Sequence, residues 1–228
     1  MAVKDNLVSY YKLNQSNLLV DSFGANTLTN NNSVTEASDG KFGYCADFGA
    51  TSTNKSLSTT LSLGTGNFTI NFWQKYNTLP GFNVLQCLCS VRVNGTKTNH
   101  EFDYRNESGT NKYNLWTGSS GGTEAKYNIT ESTGTYYMLT LTYDGTDLRL
   151  YRNTSLILTL GTGSNTTSDA TQIMFGNRVG ATRNVDGKQD EISVYNAVKD
   201  STDIATLYNS GAGYEILSNN QANFLAFF

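Results

Sequence analysis

The chain has 228 residues, of which 38% are hydrophobic and 12% aromatic; only 15% are charged, and the formal net charge is -3 at pH 7. That length and apolar content support one sizeable core, and all-β sandwiches often reach this size as a single unit. Lys and Arg are too few and too scattered to neutralise a nucleic-acid backbone, and no run of 18 apolar residues is present to span a membrane as a helix.

The first segment, "MAVKDNLVSYYKL", moves straight into a strand-like alternation over residues 7–13. It lacks the apolar stretch and small-residue cleavage site of a signal peptide, which predicts either a trimmed N-terminus or a protein not secreted by that route. "NFTINFWQKY" (67–76) puts Phe68, Ile70 and Phe72 on one face, with Thr69, Asn71, Trp73 and Lys75 on the other. That is the signature of a strand with one buried and one wet side. "VLQCLCSVRV" (84–93), Asn94-Gly95 and "TKTNHEFDY" read as a hairpin. The alternation places Cys87 and Cys89 on the same face of one strand. Three cysteines and one histidine, His100, form neither an even disulfide framework nor a zinc set, so the thiols are expected to be small core hydrophobes in a reducing compartment.

"YYMLTLTYDGTDLRLYRNTSLILTL" (136–160) predicts a three-strand meander. Tyr137, Leu139, Leu141 and Tyr143 share a face, Asp144-Gly145 and "RNTS" turn the chain, and Leu148 and Leu150 continue the apolar side. "TQIMFG" (171–176) and "QDEISVYN" (189–196) complete the strands. The one helical signal is "KDSTDIATLYNSG": Asp200 or Ser201 caps it, Ile204, Leu207 and Tyr208 form a stripe, and Gly211 sits where a terminating glycine belongs. Asn-x-Ser/Thr triplets recur, as at Asn14 and Asn128, but chance provides them in a chain this rich in Asn, Ser and Thr. These elements predict one domain over residues 1–214 and an apolar tail over 215–228, with an all-β, two-sheet antiparallel jelly-roll sandwich and one short C-terminal helix.

Five segments in order carry a family resemblance. They are "LVSYYKL" with "DSFG", "GKFGYCADF", "LSLGTGNFTINFWQKY", "YYMLTLTYDGTDLRLYRN" and "DGKQDEISVYNAVKDSTDIATLYNSG". Together the chain resembles the laminin-G-like, concanavalin A-like jelly-roll family of lectins and glucanases. Asp190 matches the aspartate of that family's closing "IDEV" element, and it falls in phase with Ile192 and Val194, where a core residue belongs. A carboxylate so placed needs a partner. The resemblance implies a meeting with the first turn after the opening strand, where Asp21, Gly24 and Asn26 would join Asp190 around one structural Ca²⁺. Hydrogen bonding of Asp190 to backbone N–H groups is the alternative. The helix is expected to plug one open edge or end of the sandwich.

Some members of such folds are glycoside hydrolases, so "NHEFDYRNE" (99–107) is the segment to weigh. Glu101, Asp103 and Glu107 are spaced E-x-D-x-x-x-E. At ~3.3 Å per residue the two glutamates stand on the order of 20 Å apart, too far to share one glycosidic bond. No Ser–His–Asp arrangement or phosphate-binding glycine loop is present, and the expectation is no catalysis.

Two non-enzymatic functions follow. A lectin-like module would bind a glycan or protein surface through exposed aromatics and planar hydrogen bonders, for which Trp73, Tyr113, Trp116, Arg149 and Tyr151 are the candidates. A virion or other extracellular surface component, such as a viral or phage decoration protein, would instead dock on capsid or other virion proteins through its terminal "NFLAFF", with Phe224, Leu225, Phe227 and Phe228 as contacts. A tail that folds back on its own sandwich is the alternative for those residues.

Overall fold

A computed structural model describes residues 3–50, 53–61, 63, 67–93, 97–118, 122–161, 170–178 and 183–216. Among these, period-two segments pair into two antiparallel sheets. The first runs β13 (Ser155–Gly161), β12 (Asp147–Arg152), β11 (Tyr136–Tyr143), β6 (Phe68–Tyr76), β15 (Gly187–Tyr195), β4 (Cys45–Gly49) and β3 (Thr35–Ala37); β1 (Leu7–Tyr11) pairs with the C-terminal half of β15. The second runs β10 (Thr123–Asn128), β9 (Thr110–Thr117), β8 (Lys97–Glu107), β7 (Leu85–Val93), β14 (Ala170–Phe175), β5 (Ser56–Thr59) and β2 (Thr29–Asn31). The Asn94-Gly95 turn lies outside the described residues.

The sheets close face to face over alternate side chains: Phe68, Ile70, Phe72, Leu139, Leu141, Leu148, Leu150, Ile192 and Val194 from the first, and Leu88, Val91, Phe102, Tyr104, Leu115, Ile173 and Phe175 from the second. Each such side chain stabilises the sandwich by roughly 1.5–3 kcal/mol through loss of water-exposed apolar surface. The alternation expected for 67–76 and 136–150 therefore holds.

Two bulges break the expected phase elsewhere. In β15, Asp190 pairs with Trp73 and Ser193 with Asn71, so Glu191 and Ile192 together oppose Phe72. Glu191 takes the left-handed backbone conformation (φ 51) that makes this possible. Gln189 faces inward, its Nε2 donating to the Leu88 carbonyl of the opposite sheet at 2.9 Å. Asp190 consequently shares the outward side with Trp73, and the inward placement expected from its phase with Ile192 is corrected. A second bulge in β7, between Cys87 and Cys89, sends Cys89 into the core opposite Phe102 and Cys87 to the other face opposite Asp103. The two thiols do not share a face; both are free and buried.

The helix α1 (Ser201–Tyr208) begins at Asp200, whose side chain accepts from the N–H groups of Thr202 and Asp203. It ends in Asn209, which takes the left-handed conformation (φ 47) two residues before Gly211. Its Ile204 and Leu207 pack with Leu7, Tyr10, Trp73, Met138 and Tyr195. Those residues sit on the outer side of neighbouring strands in the first sheet, so the helix covers a face and not an edge. Glu215 and Ile216 continue onto this layer: Lys12 Nζ pairs with Glu215 at 2.5 Å, and the Ile216 N–H donates to Tyr10 Oη at 3.1 Å. No helix among the described residues is long and apolar enough to cross a membrane.

Candidate functional site

Strand β8 alternates strictly here. His100, Phe102 and Tyr104 point into the core, which leaves Glu101, Asp103 and Arg105 on the outer face of the second sheet. Directly across the ladder in β9 stand Trp116, opposite Glu101, and Asn114, opposite Asp103. Glu124 of β10 lies beside Trp116. The segment after β14 is tied along β7, with the Cys87 N–H donating to the Arg183 carbonyl at 2.6 Å and the Gly176 N–H to the Leu88 carbonyl at 2.8 Å. This brings Arg178 and Arg183 over the same face. The side chains enclose an open cleft of about 180 Å³ floored by Asp103 and Asn114. Gly122 is required at its rim, because a Cβ there would come within 2.6 Å of the Trp116 ring.

The cleft is polar, and its base is buried. Glu101, Asp103 and Asn114 are each only 2% exposed. Glu101 accepts from Arg178 Nη1 at 2.6 Å and from Arg183 Nη1 at 3.4 Å. Asp103 Oδ2 accepts from Asn114 Nδ2 at 3.4 Å, while Oδ1 of Asp103, Oδ1 of Asn114, and Nε of Arg105 and of Arg178 have no hydrogen-bond partner among the described residues. Each such buried atom costs about 1–3 kcal/mol unless something enters to meet it. Burial, followed by the neighbouring Glu101 charge, pushes the Asp103 carboxyl well above the usual carboxylate range.

A profile of the concanavalin A-like lectin/glucanases superfamily, of laminin-G type, matches residues 48–205. The chain belongs to this superfamily. No curated sequence matches it. Among solved structures it is similar to the binding domain of Paraclostridial mosquitocidal protein 1, at TM-score 0.71 and 18% identity over 92% of this chain and 53% of that one. It is also similar to the binding domain of botulinum neurotoxin DC in complex with rat synaptotagmin II (TM-score 0.72, 16% identity, 93% and 53%). A third is domain 4 of AbnA, an extracellular GH43 arabinanase from Geobacillus stearothermophilus, in complex with arabinotriose (TM-score 0.63, 19% identity, 88% and 97%). The chain spans about half the length of the toxin binding domains it resembles.

Of the five residues expected to bind a ligand, the superfamily fold brings only Trp116 to the cleft. Trp73 is 3% exposed: Tyr208 of α1 stacks on it at 5.9 Å and Lys41 Nζ stands 4.2 Å above its ring, so the polar face of β6 is covered and not wet. Tyr113 is fully buried, its hydroxyl donating to Glu131 at 2.8 Å, because it alternates inward with Leu115. Arg149 is engaged in its own hairpin with Asp144 and Asp147, and Tyr151 packs at the margin of the helix layer. Both belong to the first sheet, away from the cleft. Arg105, Asn114, Glu124, Arg178 and Arg183 were not among the expected residues, and Glu101 and Asp103 were weighed only as catalysts. The alternation of "EFDYR" marks Glu101, Asp103 and Arg105 as one face; no sequence signal places Arg178 and Arg183 above it.

The residues expected to hold calcium do not fit that ion. Asp21 Oδ1 accepts from the N–H groups of Tyr10 (3.0 Å), Phe23 (3.0 Å) and Gly24 (2.9 Å), and its Oδ2 accepts from the Asn26 N–H (3.1 Å). Asp190 Oδ2 accepts from the Lys41 N–H (2.6 Å) and the Phe42 N–H (3.1 Å), and Oδ1 from the Glu191 N–H (2.9 Å). A calcium shell needs oxygen donors, and these sites present N–H groups instead. Asp190 meets the turn at Gly40–Gly43, not the one at Asp21. Gly24 serves close approach, since a Cβ there would lie 2.5 Å from the Val8 carbonyl, and the Asn26 carbonyl is used by the Tyr11 hydroxyl. Among the described residues, one trio could present donors to a cation: Cys87, Glu101 and Asp103, whose ligand atoms lie within 4.8 Å of one another. Two arginines already occupy Glu101, and burial pushes the Cys87 thiol well above its usual range, which disfavours the thiolate a metal needs. The terminal Phe224, Leu225, Phe227 and Phe228 lie outside the described residues.

Proposed function

We propose that the chain is a non-catalytic carbohydrate-recognition module that seats a glycan in the cleft on the outer face of the second sheet. The observation that carries this is the mixed set of unmet buried atoms beside an indole: an acceptor on Asn114, donors on Arg105 and Arg178, and an oxygen of the Asp103 carboxyl, which donates in the neutral form that burial favours. A sugar hydroxyl donates and accepts at once, so a ring with adjacent hydroxyls answers both kinds of atom while its apolar side lies on Trp116. The cleft is smaller than the roughly 300–1,000 Å³ of closed small-molecule pockets, which suits a ring resting in an open groove. The arabinotriose-bound domain and the toxin binding domains support a binding role at the level of the fold.

Hydrolysis is disfavoured by the side chains themselves. A glycosidase places one carboxyl as acid and another as base or nucleophile on either side of the scissile bond. Here Glu101 is clamped by two arginines, and the position four residues along the same face is Arg105, which offers no carboxyl. A module on a virion surface is one setting for such recognition; the tail that motivated that expectation is not among the described residues, whereas the cleft is.

Titration with a panel of oligosaccharides tests the proposal. Saturable binding is expected, weakened at least tenfold, about 1.4 kcal/mol, by Trp116→Ala and untouched by Arg149→Ala on the opposite sheet. An empty panel at millimolar ligand removes the glycan function.

A further inference from the structure

Charge is distributed unevenly between this face and the rest of the chain. The whole protein carries -3, yet the outer face of the second sheet gathers Arg92, Arg105, Arg178 and Arg183, with Lys112 and Lys126 at its rim. Three carboxylates answer these six cations, and each is already paired. Glu101 is held by Arg178 and Arg183, Glu107 by Lys112 (2.8 Å) and Lys126 (3.0 Å), and Glu124 by Lys126 (2.6 Å). Burial disfavours the charged form of Asp103. Arg105 is loosely held: its guanidinium stands 3.5 Å from Glu107 and 3.8 Å from Glu124, and its buried Nε has no hydrogen-bond partner among the described residues. Arg178 likewise uses Nη1 on Glu101 and keeps Nε unmet. An arginine edge presents parallel N–H donors that match a carboxylate's two oxygens.

Resting on the glycan function proposed above, we infer that the cleft selects an acidic sugar, a glycan residue whose ring bears a carboxylate, with Arg105 as the principal anion-binding group and Arg178 beside it. The carboxylate meets the arginine fork, and the ring hydroxyls meet Asp103 and Asn114. Asp103 in its neutral form donates to the ligand and does not repel it.

The test compares three probes on the full chain at low and moderate salt: a uronic-acid oligosaccharide, the same backbone as its neutral methyl ester, and a sulfated neutral oligosaccharide. The acid is expected to bind at least tenfold more tightly than the ester, the ratio shrinking as salt rises because the groups are near solvent. Arg105→Gln should bring the acid down to the affinity of the ester, whereas Asp103→Asn, which copies the neutral acid, should retain the preference; an unchanged melting temperature shows that each variant is folded. Ester and acid binding equally overturns the inference and leaves the glycan function standing. Tighter binding of the sulfated probe overturns the carboxylate fork in favour of bare charge. No binding of any probe removes both.

Discussion

Asp190 and Lys41 lie 149 residues apart in the chain, and the carboxylate of the first accepts the backbone N–H of the second at 2.6 Å. With the Phe42 N–H on the same oxygen, this bond fastens the turn before β4 to the bulge in β15. The same turn carries Lys41 over Trp73, so one carboxylate organises the cover of the first sheet's outer face.

Asp190→Ala should therefore destabilise the fold by about 2–4 kcal/mol, since it leaves one buried and two half-buried N–H groups unmet. A lower urea midpoint at unchanged slope is the expected result. The pH response has a definite sign. Burial raises the carboxyl from 3.8 to about 7, against the pull of its N–H donors. The folded state then holds a proton that the unfolded state releases, so this contribution is full below pH 3.8 and is lost as pH rises through 7. Asp190→Asn should remove it; equal pH slopes in variant and wild type refute the assignment.

His100 acts in the opposite direction. Wholly buried against Phe68 and Tyr143, it is lowered from 6.5 to about 4 by loss of solvent. The unfolded chain binds a proton that the folded chain refuses between those values. Stability from His100 is thus complete above pH 6.5 and is lost as pH falls toward 4, by up to on the order of 3 kcal/mol. His100→Gln, which keeps a polar partner for Thr117, should gain on the wild type across that window in thermal melts.

The two tryptophans should separate cleanly. Trp73→Ala removes a ring packed between Tyr208 and Lys41, and should cost about 3–5 kcal/mol of stability. Trp116→Ala should cost far less stability and act on ligand affinity. If Trp73→Ala leaves the melting temperature unmoved, the helix layer is not packed as described.

Asp21 gathers four backbone N–H groups around the turn that follows β1. Asp21→Ala should destabilise by about 2–3 kcal/mol, and chelation should leave the wild-type melting temperature where it is. A rise on adding calcium, as mass action demands of any ion bound to the folded state, would contradict the N–H geometry.

How much of this was legible depends on the distance over which each feature is encoded. The strands of 67–76 and 136–150 were readable because alternation is local, and so was the helix, capped by Asp200, one of the two residues its sequence offers. The bulges were not readable. A single left-handed residue at Glu191 reverses the face of everything before it, and no residue type at that position announces it. Trp73 was placed on the correct side of its strand but mistaken for a ligand group, because the helix that covers it comes from more than a hundred residues downstream.

The sequence by itself determined the two-layer sandwich, since period-two apolar segments have few other ways to bury one face. Only the tertiary structure decided which outer face stays open and what it offers. The first sheet's face is closed by α1 and the Lys41 turn, and the second sheet's face keeps Trp116 beside acidic and basic side chains drawn from three separate segments. Hydrophobic burial follows local pattern, whereas a recognition site needs groups brought together from remote parts of the chain, and that convergence exists only once the strands are in register.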